Sequence, residues 1–443
     1  MSSGWIDEAV AAQRPWMEDL LVRLVEAPTV LGAEEAGQAL MAQGFADCGL
    51  EPVDVPLDPG ALRADPGHSP FSWDVAGKRN VVASWAGTGG DGARSLVLNG
   101  HVDVVPPASE ALWTSPPFRA RREGDWLFGR GAGDMKAGLV AMTGAVKALR
   151  AAGVELAGDV HLQSVVEEEC TGNGTLQCLL AGHGAGADAA ILTEPHPDHV
   201  TVAQVGVLWF HIDVRGVPAH AARASTLGTD AFTAAQGVLA ELRALEAELN
   251  AERGEHPHYA GFAHPINLNP GVVSAGDWAS TVPAECTLSC RLALYPGQRP
   301  AELCARVEAA LARAAAHDPF LAEHPPAVRY DGFSCEGSVV DGDAPIVLAV
   351  ADAFRDVHGG AEIERRATTA TTDARHFVRR GIPAICFGPR AEDIHGIDER
   401  VSMSSLADVA SVLARVVLQW CGGAPNRPAG TPDHRRRSMH VSR

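Results

Sequence analysis

An interruption limits what this chain can fold into more than any other feature of its sequence. Up to about residue 204 helix-period and strand-like segments alternate, from Val205 the pattern changes, and near Pro326 the alternation resumes and continues to Cys421. In the first stretch, apolar positions at helical spacing span 6–25, buried strands are predicted at 80–85 and 95–105, and a helix at 134–149. A strand at 159–166, a helix at 174–180 and a strand at 189–193 follow. Such alternation implies a sheet with parallel character and helices on both faces. The interrupting block reads differently: an alternating strand (GVLWFHIDVRG), a long amphipathic helix at 229–252, strands at 271–273 and 286–294, and a helix at 299–317. Because one alternating pattern flanks it on both sides, the block is expected to be an insertion. The predicted plan is an α/β domain made of 1–204 and 326–421, a smaller α+β unit at 205–325, and a disordered tail at 422–443 that is Pro/Gly-rich and then basic. Helices at 344–357, 374–379 and 404–420 and a strand at 383–387 fill the second half of the larger domain.

Composition narrows the partners. With 36 Lys+Arg against 55 Asp+Glu, a net charge of −19 repels phosphate backbones, which argues against nucleic acid and for a small-molecule substrate. The N-terminal MSSGWIDEAVAAQ has neither a basic region nor an uninterrupted apolar core, and no run of about 18 apolar residues occurs, so no membrane span and a cytoplasmic location are expected. The nine cysteines are scattered without a CxxC pair, which predicts reduced thiols used as small core residues rather than zinc ligands.

Acidic and histidine residues fall just after predicted strands, the edge of an open α/β sheet where ligands bind. In SLVLNGHVDVVP, His101 and Asp103 lie two apart on an extended run and share a face, so Asp103 can orient the imidazole as a carboxylate behind a metal-ligating histidine does. Asp134 follows a Gly-rich turn, GRGAGDMKAG, at the start of a helix; this is not a phosphate loop, because Lys136 lies between Met135 and Ala137. In SVVEEECTGNGT, Glu167, Glu168 and Glu169 come directly after an apolar strand, and three adjacent carboxylates at a sheet edge repel unless positive charge lies among them. A pair of metal ions would supply it. Glu194 ends another apolar strand before Pro195, and His395 lies in a loop beyond the strand at 383–387.

Taken in order along about residues 15–420, these segments resemble the M20 metallopeptidase family, and within it the acetylornithine deacetylase-like branch. The resemblance implies a zinc-exopeptidase-like three-layer αβα catalytic domain carrying a four-stranded sheet and two helices as a dimerisation or lid unit. It implies that His101 and Glu194 hold one divalent ion and Glu169 and His395 the other, with Asp134 bridging them, Glu168 as general base and Asp103 behind the histidine ligand. Zn²⁺ is the first choice for such ligands, with Co²⁺ or Mn²⁺ as alternatives. In GVPAHAARASTLGTDAF the resemblance makes His220 an oxyanion donor reaching into the partner's site of a homodimer. In TTDARHF it makes Arg375 a candidate for gripping a substrate carboxylate. One segment departs from the family pattern: Ser280 and Ala293 stand where many members have Asn and Arg, and Arg291 lies two residues before Ala293, on the same face of the strand.

The leading functional expectation is metal-dependent hydrolysis of the amide bond of a small N-acyl amino acid or related N-acylated amine. Alternatives are a dipeptidase or carboxypeptidase of the same fold, and a deformylase or deacylase acting on a non-amino-acid amine such as a pyrimidine salvage intermediate. A non-catalytic binding homologue is disfavoured because the ligand set and Glu168 are all present.

Overall fold

The computed structural model describes residues 4–425. Its larger sheet has nine strands, in the order Val53–Pro56, Arg79–Trp85, Val160–Val165, Leu96–His101, Ala189–Leu192, Ala384–Cys386, His199–Gln204 and Ser338–Val339, with Glu364–Thr368 also paired to His199–Gln204. Strands 160–165, 96–101, 189–192 and 384–386 are successive parallel neighbours in the middle, and antiparallel strands flank them. All six residues of strand 96–101 are buried, as a strand covered on both faces requires. Side chains alternate between two cores. Leu96, Leu98, Ile191 and Ile385 join Leu139, Val146, Leu413 and Val417 on one face, while Val97, Ala190, Leu192 and Cys386 pack with Leu179 and Phe377 on the other. This is the expected three-layer αβα architecture, and its parallel strands end together at one edge.

Two expected helices are shaped by local chemistry. The apolar pattern at 6–25 is split into Gly4–Ala11 and Arg14–Glu26, the second with Pro15 in its first turn, where a residue without an amide N–H cannot continue the first helix but suits a helix start. The predicted helix at 134–149 is Ala137–Ala151; Asp134 and Met135 keep non-helical backbone just before it.

The second sheet is antiparallel in the order Leu268–Ala275, Glu285–Leu294, Gly206–Arg215 and Ala327–Arg329, and Ser334–Cys335 pairs with the start of Gly206–Arg215. Helices Ala231–Ala251 and Pro300–His317 pack against one face around Phe210, Ile212, Leu242, Leu288, Leu292 and Val307. Asp230 caps the longer helix by accepting the amide of Phe232 at 2.8 Å. Strands 327–329 and 334–335 follow residue 325 in the chain yet hydrogen-bond to this sheet. At its free edge Val272, Val273 and nearby Trp278 are 63%, 48% and 72% exposed.

A small antiparallel sheet, Ala391–Glu392, Arg400–Ser402, Trp126–Phe128 and Arg121–Glu123, brings the Gly-rich turn beyond Phe128 beside the loop that carries His395. Ala424–Pro425, at the start of the predicted tail, pair with Val154–Glu155, so regular backbone pairing extends past residue 422; the rest of that tail, 426–443, lies outside the described residues. Among the described residues no helix is long and apolar enough to cross a membrane. All nine cysteines are free, and all but Cys304 are buried.

Candidate metal centre and active site

Five stretches of chain meet where the parallel strands end, one of them the Gly-rich turn that carries Asp134. His101 is the last residue of its strand, Glu168 and Glu169 lie in the turn after Val160–Val165, Glu194 follows Ala189–Leu192, and His395 arrives from the loop beyond Ala391–Glu392. His101 Nε2 lies 3.1 Å from Asp134 Oδ1 and 3.9 Å from Glu168 Oε2. His395 Nε2 lies 3.1 Å from Glu169 Oε1 and 3.4 Å from Asp134 Oδ2. Asp134 thus stands between the two imidazoles. By distance alone two groups of ligand atoms form, His101 with Glu168 and Glu194, and His101 with Asp134 and Glu169, each with its atoms within 4.8 Å of one another.

The donor set fits divalent cations. Four carboxylates surround two imidazoles, an excess of negative charge that cations relieve, and the mixed nitrogen and oxygen donors suit first-row metals. Burial opposes charge on Glu168 and Glu194, and the neighbouring carboxylates add to it, so both are raised well above the ordinary range. Burial would lower His101, yet the surrounding carboxylates, Asp134 foremost, hold it well above its usual value. His395, drawn first by Glu169, is pushed up to about 11. Burial would also raise Asp134, but hydrogen bonds from both histidines pull it down.

Asp103 does more than stand behind a histidine. Its backbone carbonyl, not its carboxylate, takes the hydrogen bond of His101 Nδ1, at 2.9 Å against 3.8 Å for Oδ1. A carbonyl only accepts, so Nδ1 carries the proton and Nε2 faces Asp134. The Asp103 carboxylate instead accepts the amides of Glu168 at 3.3 Å and Glu169 at 3.1 Å. A carboxylate on a strand end is closer to the next turn than to the ring two residues back.

Glu167 is turned away from this cluster. Its carboxylate is buried against Lys78 Nζ at 2.9 Å, Trp73 Nε1 at 2.8 Å and Thr171 Oγ1 at 3.0 Å, and Lys78 also reaches Glu34 at 3.0 Å. The repulsion expected among three adjacent glutamates is therefore relieved for one of them by a lysine far away in sequence. Nothing local to Lys78 signals that role.

Burial pushes Asp103 up to about 7, against the pull of His101. A folded carboxyl above its unfolded value of about 4 stabilises the fold fully below that lower value, and the contribution is lost as pH rises through about 7. Glu168 and Glu194 shift in the same direction and carry the same sign. The melting temperature of chelator-treated protein is therefore expected to fall between about pH 5 and about pH 8, and the gain from added metal to widen over that window, because bound cations favour ionised carboxylates. Scanning fluorimetry with and without metal checks this; a gap that stays constant with pH would sink the assignment of these groups.

The sequence profile of peptidase family M20/M25/M40 matches residues 97–419, a span that contains every group in the cluster. The chain belongs to this family. Among curated relatives, the N-formyl-4-amino-5-aminomethyl-2-methylpyrimidine deformylase of Bacillus subtilis is 31% identical over 376 residues, covering 80% of this chain and 86% of that one. A succinyl-diaminopimelate desuccinylase of Paracoccus denitrificans is 30% identical over 357 residues, covering 78% and 88%. The fold matches that of the dipeptidase Dug1p from Saccharomyces cerevisiae with a TM-score of 0.76 at 16% identity, over 95% of this chain and 99% of that one. This M20 chain is accordingly a hydrolase of amide bonds.

The remaining candidate residues of this M20 protein make no hydrogen bond or ion pair with the carboxylate cluster among the described residues, although Arg375 is close enough for the Glu168 charge to act on it. His220 is exposed on the second-sheet unit, with Nδ1 accepting the Ala222 amide at 3.1 Å, and it makes no ion pair with the cluster among the described residues. Arg375 is buried; its Nη1 donates to Thr372 O at 2.8 Å and its Nη2 to Thr171 O at 2.9 Å, with Asp373 at 3.4 Å. Only Nε is left without a partner among the described residues. At Gly172 an added Cβ would come within 1.9 Å of Arg375 Nη2, so the guanidinium is packed onto backbone. Arg291 sits on the half-buried open face of the second sheet, cross-strand from Trp209, with Nη2 3.5 Å from Thr369 O. Among the described residues neither arginine makes a hydrogen bond or ion pair with the cluster. Asp373, fully buried beside Arg375, and Glu399, buried against the Asp134 turn, are not among the candidates from sequence, although both lie in segments that hold such candidates.

Proposed function

We propose that this chain removes a short acyl group from a small N-acylated amine or amino acid. The observation that carries this reading is the convergence of His101, Asp134, Glu169, Glu194 and His395 around the buried Glu168 where the parallel strands end. In this reading His101 and Glu194 hold one divalent ion, Glu169 and His395 hold the other, and Asp134 stands between them. Zn²⁺ is the first candidate and Co²⁺ or Mn²⁺ the next. When bound, such a pair polarises an amide carbonyl and makes water acidic enough to attack near neutral pH.

The chain's own residues do the proton work. Glu168 Oε1 has no hydrogen-bond partner among the described residues, which leaves it free to take the proton that water gives up as its oxygen bonds to the carbonyl carbon. The same carboxyl returns that proton to nitrogen as the C–N bond breaks, giving a carboxylic acid and a free amine. Asp103 holds the Glu168 backbone still during both transfers. His220, supplied by a second copy of the chain, donates to the carbonyl oxygen as negative charge builds there. Support for a homodimer comes from the edge of the second sheet, where Val272, Val273 and Trp278 are exposed beside strand backbone that has no outer partner strand among the described residues. Nine free thiols support a reducing, cytoplasmic setting.

One observation favours a narrower reading within this class. Both terminal nitrogens of Arg375 are engaged by backbone carbonyls, so that group is not set to grip a substrate carboxylate. An N-formyl amine without a carboxylate, the kind of compound named for the Bacillus subtilis relative, needs no such grip. The test is a panel of N-formyl, N-acetyl and N-succinyl amino acids, dipeptides and an N-formyl aminopyrimidine, assayed for amine release with Zn²⁺ or Co²⁺ and after chelation. Short N-acyl compounds are expected to turn over, with activity lost on chelation and restored by metal. The narrower reading expects the N-formyl amine to lead in kcat/KM by at least about tenfold. Turnover of dipeptides alone would replace the deacylase reading with a peptidase one.

A further inference from the structure

One buried ion pair touches both loops that carry the ligands Asp134 and His395. Glu399 is fully buried, and its carboxylate accepts four hydrogen bonds. Oε1 takes the amides of Gly133 at 2.9 Å and Asp134 at 3.0 Å; Oε2 takes the amide of Gly131 at 3.0 Å and Arg130 Nη1 at 2.6 Å. The other terminal nitrogen of Arg130 donates to the carbonyl of Gly396, the residue after His395, at 3.0 Å. The Glu399 backbone carbonyl accepts the Gly129 amide at 2.9 Å, so the turn is held at both ends. Arg130 is 1% exposed and lies over the Trp113 ring, 5.2 Å from its centroid. A turn of glycines and alanine with non-helical backbone at Asp134 and Met135 has no regular structure of its own to fix it; the Glu399 carboxylate supplies the missing acceptors.

We propose that Arg130 and Glu399 are positioning residues that set the spacing between Asp134 and His395, and thereby the second of the two cation sites. The inference rests on the dinuclear reading above. Neither side chain is hydrogen-bonded to Glu168 or to the two imidazoles among the described residues. The effect of the pair passes through the Asp134 amide on one side and the Gly396 carbonyl on the other. Glu399→Gln puts an amide NH₂ against either Arg130 or the turn amides, so at least one ligand loop loses its acceptor. Arg130→Lys keeps a cation beside Glu399 but removes the fork that reaches Gly396 at the same time.

The experiment measures stepwise binding of Mn²⁺ and Zn²⁺ to metal-free full-length wild-type, Glu399→Gln and Arg130→Lys proteins by calorimetry and chelator competition, with electron paramagnetic resonance of the Mn²⁺ forms reading the spin coupling between ions. Wild type is expected to bind two ions with a coupled signal. In both variants the second ion is expected to bind about 10- to 100-fold more weakly, with a changed coupling and with less change at the first ion. Should Glu399→Gln fail to fold, as judged by circular dichroism, Arg130→Lys decides alone. A wild-type chain that binds two ions, with a folded variant that matches it in both steps and in the coupled signal, overturns the positioning role only. A wild-type chain that binds fewer than two removes the dinuclear reading and this inference with it.

Discussion

Glu168→Ala is expected to lower turnover by about 10²- to 10⁴-fold while two metal ions per chain remain bound and KM changes little. The reason lies in how that side chain is held. Its backbone amide is anchored by Asp103, so removing the carboxylate leaves the turn and its neighbour Glu169 in place. The lost group is the buried Oε1, the one carboxylate oxygen in the cluster that is buried and unpartnered among the described residues. Steady-state kinetics on the best substrate of the panel, together with metal analysis by mass spectrometry, check the result. Near-normal turnover would remove Glu168 as the base. A loss of metal in step with activity would make Glu168 a ligand instead, the role its proximity to His101 and Glu194 permits.

For His220→Ala the second large effect is expected: a fall in kcat of about 10²- to 10³-fold that exceeds any change in KM, the result the proposed oxyanion donor requires. Its exposed position, without a contact to the cluster of its own chain, makes the effect testable across subunits. If the chain is the proposed homodimer, each variant, His220→Ala or Glu168→Ala, is expected to be nearly inactive by itself. Mixing them under conditions that exchange subunits creates heterodimers in which one site has Glu168 from one chain and His220 from the other. With statistical exchange, activity should recover to about a quarter of wild type. No recovery, with exchange verified by native mass spectrometry of tagged chains, would reject action in trans; unchanged kinetics in His220→Ala alone would reject the oxyanion role altogether.

The alternation of strand and helix and its interruption are legible because they depend on hydrophobic spacing, and of the converging residues His101, Glu168, Glu169 and Glu194 are legible because each ends or follows an apolar strand, Asp134 because it follows a Gly-rich turn. What was not legible depended on contacts between distant segments. The helix Glu35–Asp47 carries glycines at 37 and 44, which weaken its helical pattern, yet Gly37 is required by packing: a Cβ there would fall 2.5 Å from Thr29 Cγ2 and 2.6 Å from Val102 Cγ2. Strand His199–Gln204 runs almost directly into Gly206–Arg215, and in sequence the two merge into one apolar run although they belong to different sheets. Asp103 was read as a carboxylate behind a histidine, whereas its carbonyl takes that part and its carboxylate reaches the following turn. Arg375 looked free to bind substrate because a sequence does not reveal that Thr171, roughly two hundred residues earlier, accepts from it. Glu399 could have been suspected: it lies four residues beyond His395, and Arg130 lies four before Asp134, opposite charges in two segments already expected to meet.

Because Asp103 ties the His101 ring and the Glu168 and Glu169 amides to one short stretch of strand, the reacting groups are fixed to the sheet rather than to the walls that would contact a substrate. On the proposed mechanism, such an arrangement lets those walls diverge among descendants without retuning the proton-transfer step. Relatives that act on unlike acylated compounds can then share one inherited hydrolytic core, and changing what this protein accepts should need substitutions only outside the Asp103 anchor.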